Sequence, residues 1–194
     1  MIHRLPTRLE GPVLLEPALH GDERGFFLES YRAAEFAALG IDEEWVQDNH
    51  SRSARGVLRG MHFQVGQAKL VRCARGAVLD VALDIRRGSP TFGQCEAVVL
   101  DDRTLRMLYL PVGFAHGFCV TSEVADVVYK CSSYYDAGLE SGVSALDPAL
   151  GIPWPEGPLT LSERDRAAPA LAEVADALPF VHEGSAGQAA QPPG

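Results

Sequence analysis

The part of the sequence between Phe26 and Tyr135 consists of short apolar segments separated by turn residues. The segments are about four to eight residues long, the usual length of a strand, and Gly, Pro, Asp and Ser cluster in connections such as "RRGSPTFG". Almost no helical periodicity interrupts this series. We therefore predict an all-β fold, an antiparallel jelly-roll sandwich or barrel with a few short peripheral helices, rather than an alternating βαβ chain.

One segment, "AVLDVALDIR", alternates strictly along its length. Successive side chains of a strand point to opposite faces, so the alternation separates two sets of residues. These are Leu79, Val81, Leu83 and Ile85 on one face, and Asp80, Ala82 and Asp84 on the other. One apolar and one polar face are typical of a small barrel whose interior holds a ligand.

Helical signals are few and short. "RAAEFAALG" predicts a helix that Gly40 closes, and "PALAEVADAL" predicts a terminal helix opened by proline. In "LSERD", Ser162 is the expected N-cap, with Asp165 at the capping-box position where Glu is usual. "GIPWPEGPLT" between them reads as an extended crossing segment stiffened by proline.

The composition predicts one globular domain over residues 1–182, followed by a small, polar tail over 183–194 that we expect to be disordered. Hydrophobic residues make up 46%, charged residues 22%, and the net charge is −9. This charge disfavours nucleic acid and anionic membranes as partners. No apolar run has the length of a membrane span or the form of a signal peptide.

The four cysteines, Cys73, Cys95, Cys119 and Cys131, are far apart and form no CxxC pair. Three lie in apolar strand-like segments, where cysteine is usually a small buried hydrophobe. We interpret all four as structural and predict a reducing, cytoplasmic location.

The segment "GVLRGMHFQ" places Arg59 and His62 within an otherwise apolar strand. Such polar side chains must be hydrogen-bonded or face water or a ligand. The two residues have opposite parity in a regular strand. They can therefore share a site only if Gly60 marks a bulge or bend.

Gln47 and Asn49 in "VQDNHS" lie two residues apart and so share a face. Two neutral amides on one face suit recognition of hydroxyl or carbonyl groups, although a hydrogen-bonded edge strand would explain them equally well. Tyr129, Tyr134 and Tyr135 lie in or just after an apolar strand, where packing with a satisfied hydroxyl is the ordinary role.

"LPVGFAHGF" contains P-x-G-x-x-H, which resembles the second cupin motif and puts His116 at the position of a metal ligand. A metal-binding cupin also needs an H-x-H pair and a glutamate from the earlier motif, and the earlier strand offers one histidine. A protein-bound metal generally needs at least three protein donors. We therefore predict no metal site.

Taken in order, nine segments resemble the dTDP-4-dehydrorhamnose 3,5-epimerase family and its sugar-nucleotide relatives. They are "DERGFF", "QDNHS", "GVLRGMHFQ", "AKLVR", "DVALDIRRGSPTFG", "LPVGFAHGF", "YKCSSYY", "DPALGIPWP" and "LSERD". Methionine replaces the usual leucine in "GVLRGMHFQ". The resemblance implies a cupin-type jelly roll, a homodimer, a dTDP-hexose substrate, and chemistry without metal or cofactor.

The resemblance also assigns roles. It implies that His62 is the base, oriented by Asp165, that Tyr129 is the acid on the other face of the sugar, and that Lys69 stabilises the enolate oxygen. The same family pattern gives the substrate-binding residues as Arg24, Phe27, Glu29, Gln47, Asn49, Arg59, His116, Tyr135, Glu140 and Arg164. The implied reaction inverts C3 and C5 of dTDP-4-dehydro-6-deoxy-D-glucose, next to its C4 ketone.

Three alternatives stay open from the sequence. One is an epimerase that inverts C3 alone, as in antibiotic deoxysugar pathways. Another is a nucleotide-sugar binder without chemistry, for which an opposed acid and base would have no use. The third, a metal-dependent cupin, is disfavoured by the absent H-x-H pair.

Overall fold

The computed structural model describes residues 1–182, so the tail expected to be disordered lies outside the described residues. Thirteen strands make up most of the regular secondary structure in this part of the chain. They are β1 Ile2–Leu5, β2 Val13–Pro17, β3 His20–Asp22, β4 Gly25–Phe27, β5 Gln47–Ala54, β6 Leu58–Gln64, β7 Lys69–Arg75, β8 Ala77–Asp84, β9 Cys95–Asp101, β10 Met107–Leu110, β11 Phe114–Val120, β12 Val124–Cys131 and β13 Glu140–Gly142.

The helices are short and peripheral. They are α1 Ala33–Ala38, α2 Glu163–Arg166 and α3 Leu171–Val174, with 3-10 turns at Pro148–Leu150 and Ala175–Ala177. Among residues 1–182, no helix has the length and apolar character needed to cross a membrane.

Two antiparallel sheets face each other. The six-stranded sheet has the order β1-β2-β10-β7-β12-β5, and the five-stranded sheet has the order β13-β6-β11-β8-β9. A separate hairpin, β3-β4, completes the strands. The prediction of an all-β jelly-roll sandwich of the cupin type with short peripheral helices is confirmed.

Three apolar clusters stabilise the sandwich. The inner cluster includes Val71, Ala82 and Phe118 and lies between the sheets. A second covers the outer face of the five-stranded sheet with the C-terminal segment, and a third packs Phe36 of α1 on the outer face of the six-stranded sheet. Burying a side chain such as Phe36 contributes about 1.5–3 kcal/mol.

The two faces of β8 separate as the alternation predicts. Val81 and Leu83 belong to the outer apolar cluster, whereas Ala82 belongs to the inner one. Asp80 and Asp84 share the parity of Ala82 and are fully buried. The polar face of this strand therefore points into the sandwich.

Two local predictions were incomplete or wrong. Strands β1, β2 and β3 precede the region in which we expected strands. β1 and β2 have short apolar runs that end next to or at a proline, and β3 has no apolar residue, so none gave a clear signal. "PALAEVADAL" forms one turn of α-helix and one 3-10 turn rather than a continuous helix. Leu171 and Leu178 bury their side chains against the sheet, and packing of these anchors overrides helix propensity.

The bulge expected at Gly60 is present. In the pairing of β6 with β11, His62 lies opposite His116 and Arg59 opposite Phe118, so β6 has one extra residue between the two pairs. Gly60 has φ +134° there, and a Cβ would lie 2.5 Å from Gly117 Cα. Only glycine fits this position, and the extra residue brings Arg59 and His62 to the same side.

Candidate active site

A cleft of about 520 Å³ is lined by strands from both sheets and by the segment that leads into α2. The cleft contains eight of the residues that the sequence indicated for a site. These are Arg59, His62, Lys69, His116, Tyr129, Glu140, Arg164 and Asp165. These eight residues are spread over more than a hundred positions of the sequence, and the fold brings them together around one opening.

His62 and Asp165 form the central pair of this cleft. His62 Nε2 lies 2.6 Å from Asp165 Oδ1, and the side chains are 27% and 6% exposed. When Nε2 donates its proton to the carboxylate, the lone pair of the ring is on Nδ1. The pair thus has the arrangement of a general base whose tautomer is fixed by a carboxylate.

Asp165 reaches His62 from outside both sheets. Ser162 is the N-cap of α2, and its Oγ accepts a hydrogen bond from the backbone N–H of Asp165 at 3.1 Å. The predicted cap is therefore confirmed, but the carboxylate of Asp165 bonds to His62 rather than returning to the backbone of Ser162. An aspartate at this position serves the cleft instead of completing a capping box.

A second histidine–carboxylate pair lies beside the first. His116 on β11 is directly opposite His62, and its Nε2 lies 2.9 and 3.1 Å from the two carboxylate oxygens of Asp80. Asp80 is on the neighbouring strand β8 and is fully buried. The polar face of β8 thus holds a cleft histidine in place.

Arg59 lies at the cleft beside the bulge. Its Nε donates to Ser53 Oγ at 3.1 Å, which ties the guanidinium to β5. A planar guanidinium can bind two oxygens of a phosphate or a pair of sugar hydroxyls at once.

Lys69 and Tyr129 lie on the wall opposite His62. Both belong to the six-stranded sheet, on β7 and β12, whereas His62 belongs to the five-stranded sheet. Burial lowers the pKa of the Lys69 ammonium and raises the pKa of the Tyr129 phenol. Within residues 1–182, Lys69 has no carboxylate within 4 Å, so its charge is available to a ligand.

Glu140 and Arg164 form an ion pair at the cleft, with Arg164 Nη1 2.6 Å from Glu140 Oε2. Glu140 begins β13, which pairs with β6, and Arg164 is in α2. Glu140 first, and Tyr135 to a smaller extent, raise the pKa of the Arg164 guanidinium, so this tyrosine is near the same edge of the cleft.

Gln47 and Asn49 share the inner face of β5, as expected, but they are bonded to protein. Gln47 donates from Nε2 to Asn49 Oδ1 at 3.2 Å and accepts from the backbone N–H of Tyr135 at 2.8 Å. Asn49 donates to Cys131 Sγ at 3.5 Å. Neither is among the residues that line the cleft.

Arg24, Phe27 and Glu29 do not lie at this cleft in the single chain. Arg24 and Phe27 belong to or adjoin the β3-β4 hairpin, where Phe27 is 71% exposed, and the three residues border shallow surface depressions of their own. Arg24 pairs with Asp22, and Glu29 pairs with Arg32.

Three residues at or behind the cleft were not indicated as site residues by the sequence. Ser53, Asp80 and Ser162 each bond to an indicated residue, as described above. Of these, Asp80 stood out in the alternation of β8 and Ser162 in the capping pattern. Ser53 gave no signal, because its partner Arg59 reaches it only across the bulge.

Within residues 1–182, no group of three or more His, Cys, Asp or Glu side chains is placed to hold a metal ion. His62 and His116 are each bonded to one aspartate, and these two pairs do not converge on a common point as ligands. All four cysteines are free thiols.

A cupin-type jelly roll with an imidazole and a phenol facing one cleft from its two sheets is compatible with a carbohydrate epimerase. Residues 6–173 match the family model of the dTDP-4-dehydrorhamnose 3,5-epimerases, and the chain belongs to this family. The Salmonella typhimurium dTDP-4-dehydrorhamnose 3,5-epimerase is 50% identical over 172 residues, covering 86% of this chain and 94% of that protein.

Two further relatives bear on the reaction. The structure of a Legionella pneumophila dTDP-6-deoxy-D-glucose-3,5-epimerase in complex with dTDP-4-keto-L-rhamnose is similar with a TM-score of 0.90 and 46% identity, covering 94% of this chain and 100% of that one. A Streptomyces niveus dTDP-4-dehydrorhamnose 3-epimerase is 47% identical over 176 residues, covering 89% of this chain and 85% of that protein. The chain is thus an isomerase of the sugar-epimerase type.

Proposed function

We propose that the chain converts dTDP-4-dehydro-6-deoxy-D-glucose into dTDP-4-dehydro-L-rhamnose by inverting C3 and C5. The observation that carries this proposal is the position of His62 and Tyr129 on opposite walls of one cleft. Inversion next to a ketone requires removal of a proton from one face of the ring and return of a proton to the other. A base and an acid on opposite walls meet this requirement.

The proposed step begins at His62 Nδ1, which takes the proton from C3. The electron pair of the broken C–H bond forms the C3–C4 double bond, and the C4 oxygen becomes an enolate. Tyr129 then gives its proton to C3 from the other side, and the C4 ketone forms again. The step leaves an imidazolium and a phenolate, which exchange protons with water before the same cycle acts on C5.

Lys69 is the proposed partner of the enolate oxygen. Its ammonium lies on the wall that carries Tyr129 and has no competing carboxylate within 4 Å in the described chain. A donor that is already in place where negative charge develops contributes about 10²–10³ in rate.

The Tyr129 phenol holds its proton at neutral pH, because its ordinary pKa of 10.0 already lies well above neutral and burial raises it further. Asp165 supports the base, because a carboxylate on Nε2 fixes the tautomer and stabilises the imidazolium that forms. Tyr129 therefore starts the cycle with the proton that the acid must supply.

The proposed substrate-binding residues fall into three places. Arg59, His116, Glu140 and Arg164 line the cleft and would contact the hexose and diphosphate. Gln47, Asn49 and Tyr135 lie beside it, bonded to one another. Arg24 and Phe27 of the hairpin, and Glu29 just after it, do not line the cleft of their own chain.

A homodimer reconciles the hairpin residues with a binding role. The hairpin exposes two adjacent aromatic side chains, Phe26 at 59% and Phe27 at 71%. In a symmetric dimer the hairpin of one protomer could reach the cleft of its partner, where an aromatic ring would stack on the base of the nucleotide. We propose this arrangement, and the oligomeric state in solution tests it.

The proposal includes chemistry without a metal or organic cofactor, in the reducing environment of the cytoplasm. The free thiols and the lack of a metal-ligand cluster in residues 1–182 support it. Full activity after exhaustive chelation, with no stoichiometric metal in elemental analysis, is the expected result. Activity that requires added iron or zinc would overturn this part.

Incubation with dTDP-4-dehydro-6-deoxy-D-glucose in D₂O, followed by NMR, tests the reaction itself. We expect deuterium at both C3 and C5 and a product with both centres inverted. Label and inversion at C3 alone would support the second candidate, an epimerase acting at C3, which the similarity to the Streptomyces niveus enzyme favours. Tight binding without label would indicate a nucleotide-sugar binder.

A further inference from the structure

Asp165 is 103 residues away from His62 in the sequence and belongs to neither sheet. The segment that carries it is anchored next to β6, the strand of His62. Leu58 N donates to Thr160 O at 2.9 Å, and Thr160 N donates to Gly56 O at 2.8 Å. Gly56 allows this approach, since a Cβ would lie 2.5 Å from Pro158 O. The backbone is thus fixed five residues before Asp165.

Between this anchor and Asp165, few side chains determine the path of the chain. Leu161 is buried in the outer apolar cluster, and the Arg166 guanidinium donates to Leu161 O at 2.6 Å. The Arg164–Glu140 ion pair is largely exposed on its arginine side, and exposed pairs contribute little. The Ser162 hydroxyl is the side chain within residues 1–182 that bonds to the backbone of Asp165 itself.

The N-cap bond of Ser162 is especially important for the position of Asp165, because α2 is a single turn of four residues. An isolated turn of this length is not stable by its own backbone bonds. The usual reciprocal bond of a capping box is also absent, because the Asp165 carboxylate bonds to His62. Loss of the Ser162 hydroxyl would leave the orientation of that carboxylate poorly determined.

We propose that Ser162 is a positioning residue: its hydroxyl holds the backbone of Asp165 so that the carboxylate stays on His62 Nε2 and Nδ1 remains the base. This inference rests on the proposed function for its kinetic consequences but not for its structural one. Ser162 itself need not contact the reacting carbons, and it acts through Asp165.

Other charged or titratable groups face the same cleft as His62, and Ser162 does not bond to their side chains. They are Arg59 on β6, Lys69 on β7, His116 with Asp80 on β11 and β8, Tyr129 on β12, Glu140 on β13 and Arg164 on α2. A change in the behaviour of His62 on substitution of Ser162 is therefore assigned to Asp165.

Ser162→Ala tests the proposal, with Ser162→Thr as the variant that keeps the capping hydroxyl. For Ser162→Ala we expect kcat to fall about tenfold with little change in KM, as for a misplaced catalytic group. Ser162→Thr should restore kcat.

A second readout needs no substrate. A histidine N–H bonded to a carboxylate at 2.6 Å should give a far-downfield proton resonance. We expect this resonance to weaken or vanish in Ser162→Ala and to persist in Ser162→Thr. If the wild-type chain proved inactive on the dTDP-sugar, the proposed function would fail while this measurement still tested Ser162.

Asp147→Ala is the matched control. Asp147 also caps a single turn, accepting from Ala149 N at 2.9 Å, and it lies outside the cleft. Its other carboxylate oxygen accepts from Leu171 N at 3.1 Å, so the control removes at least as much stabilising hydrogen bonding as the loss of the Ser162 cap. Loss of a cap should lower the free energy of unfolding by about 1 kcal/mol. Only Ser162→Ala should change kcat and the resonance. If Ser162→Ala loses stability but keeps kcat and the resonance, Ser162 is merely structural.

Discussion

Two histidine–aspartate pairs lie side by side on adjacent strands, and they differ in how the aspartate arrives. Asp80 belongs to the strand next to His116, and both partners are nearly or fully buried, at 8% and 0% exposed. Asp165 comes from a one-turn helix outside the sheets, and His62 is 27% exposed. In the His116–Asp80 pair both residues belong to one sheet, whereas in the His62–Asp165 pair only the histidine belongs to a sheet.

The difference in exposure indicates which pair is placed for proton transfer and which is placed to bind a ligand. A pair buried between strands is rigid and keeps one orientation, which suits a fixed hydrogen-bonding partner for a sugar. A base must meet substrate and exchange its proton with water in every cycle. The more exposed His62 is placed for this, and the following variants test the assignment.

The largest effect is expected from His62→Asn. Removal of a general base lowers the rate by about 10²–10⁴, and we expect the upper end of that range because the reacting carbon is a weak acid. The variant should still fold, with a modest loss of thermal stability, because the buried Asp165 carboxylate loses its hydrogen-bond partner. Steady-state turnover and circular dichroism measure both, and wild-type turnover in this variant would refute the assignment of the base.

Lys69→Met tests the wall of the cleft that faces His62. We expect a loss of about 10²–10³ in kcat, because the enolate oxygen loses its charged partner. Stability should not decrease, since an ammonium without a carboxylate partner is replaced by an apolar chain of similar length. A variant with normal kcat and weakened binding would show that Lys69 only binds the ground state.

The pH dependence of the wild type follows from the same lysine. Burial lowers the pKa of Lys69 from 10.5, so its charge is lost as the pH rises through a lower value than for a free lysine. Burial moves the pKa of Tyr129 in the other direction, upward from 10.0, so loss of the phenol proton is shifted to higher pH. We expect an alkaline limb in kcat that begins below pH 10.5 and moves to higher pH in Lys69→Arg, which stays charged. An unmoved limb would assign it to another group.

Substitution of the two aspartates should affect different properties, mainly the rate for Asp165 and mainly the stability for Asp80. Both effects on the rate should be smaller than those of His62→Asn and Lys69→Met. Asp165→Asn should lower kcat by about 10–10², as expected for loss of a partner that orients a catalytic histidine. Asp80→Asn should change kcat less than tenfold but lower the free energy of unfolding by about 1–3 kcal/mol, because its hydrogen bonds are buried. Equal effects of the two variants on rate would remove the distinction between the pairs.

The fold was largely readable from the sequence because strand length, turn chemistry and the alternation of β8 agree. The parity of Arg59 and His62 even required the bulge that Gly60 provides. The short strands before Phe26 were missed, because three to five residues give too little periodicity. Their place is set by tertiary pairing rather than by local preference.

The sequence identified most residues of the candidate site but not how they are arranged in space. Spacing places no constraint on the distance between His62 and Asp165, and only the backbone anchor at Thr160 shows how they meet. The family pattern also named Arg24, Phe27 and Glu29, and nothing in a sequence tells whether such residues serve their own cleft or that of a second protomer.

The most direct test of the central claim is the fate of solvent deuterium in Tyr129→Phe. With the acid removed and His62 intact, the base should still remove the C3 proton and return deuterium to the same face. We expect C3 to become labelled with its configuration retained, while inversion falls by about 10²-fold or more. Inversion at the wild-type rate in this variant would show that Tyr129 does not supply the proton, and the account of two opposed groups would be wrong.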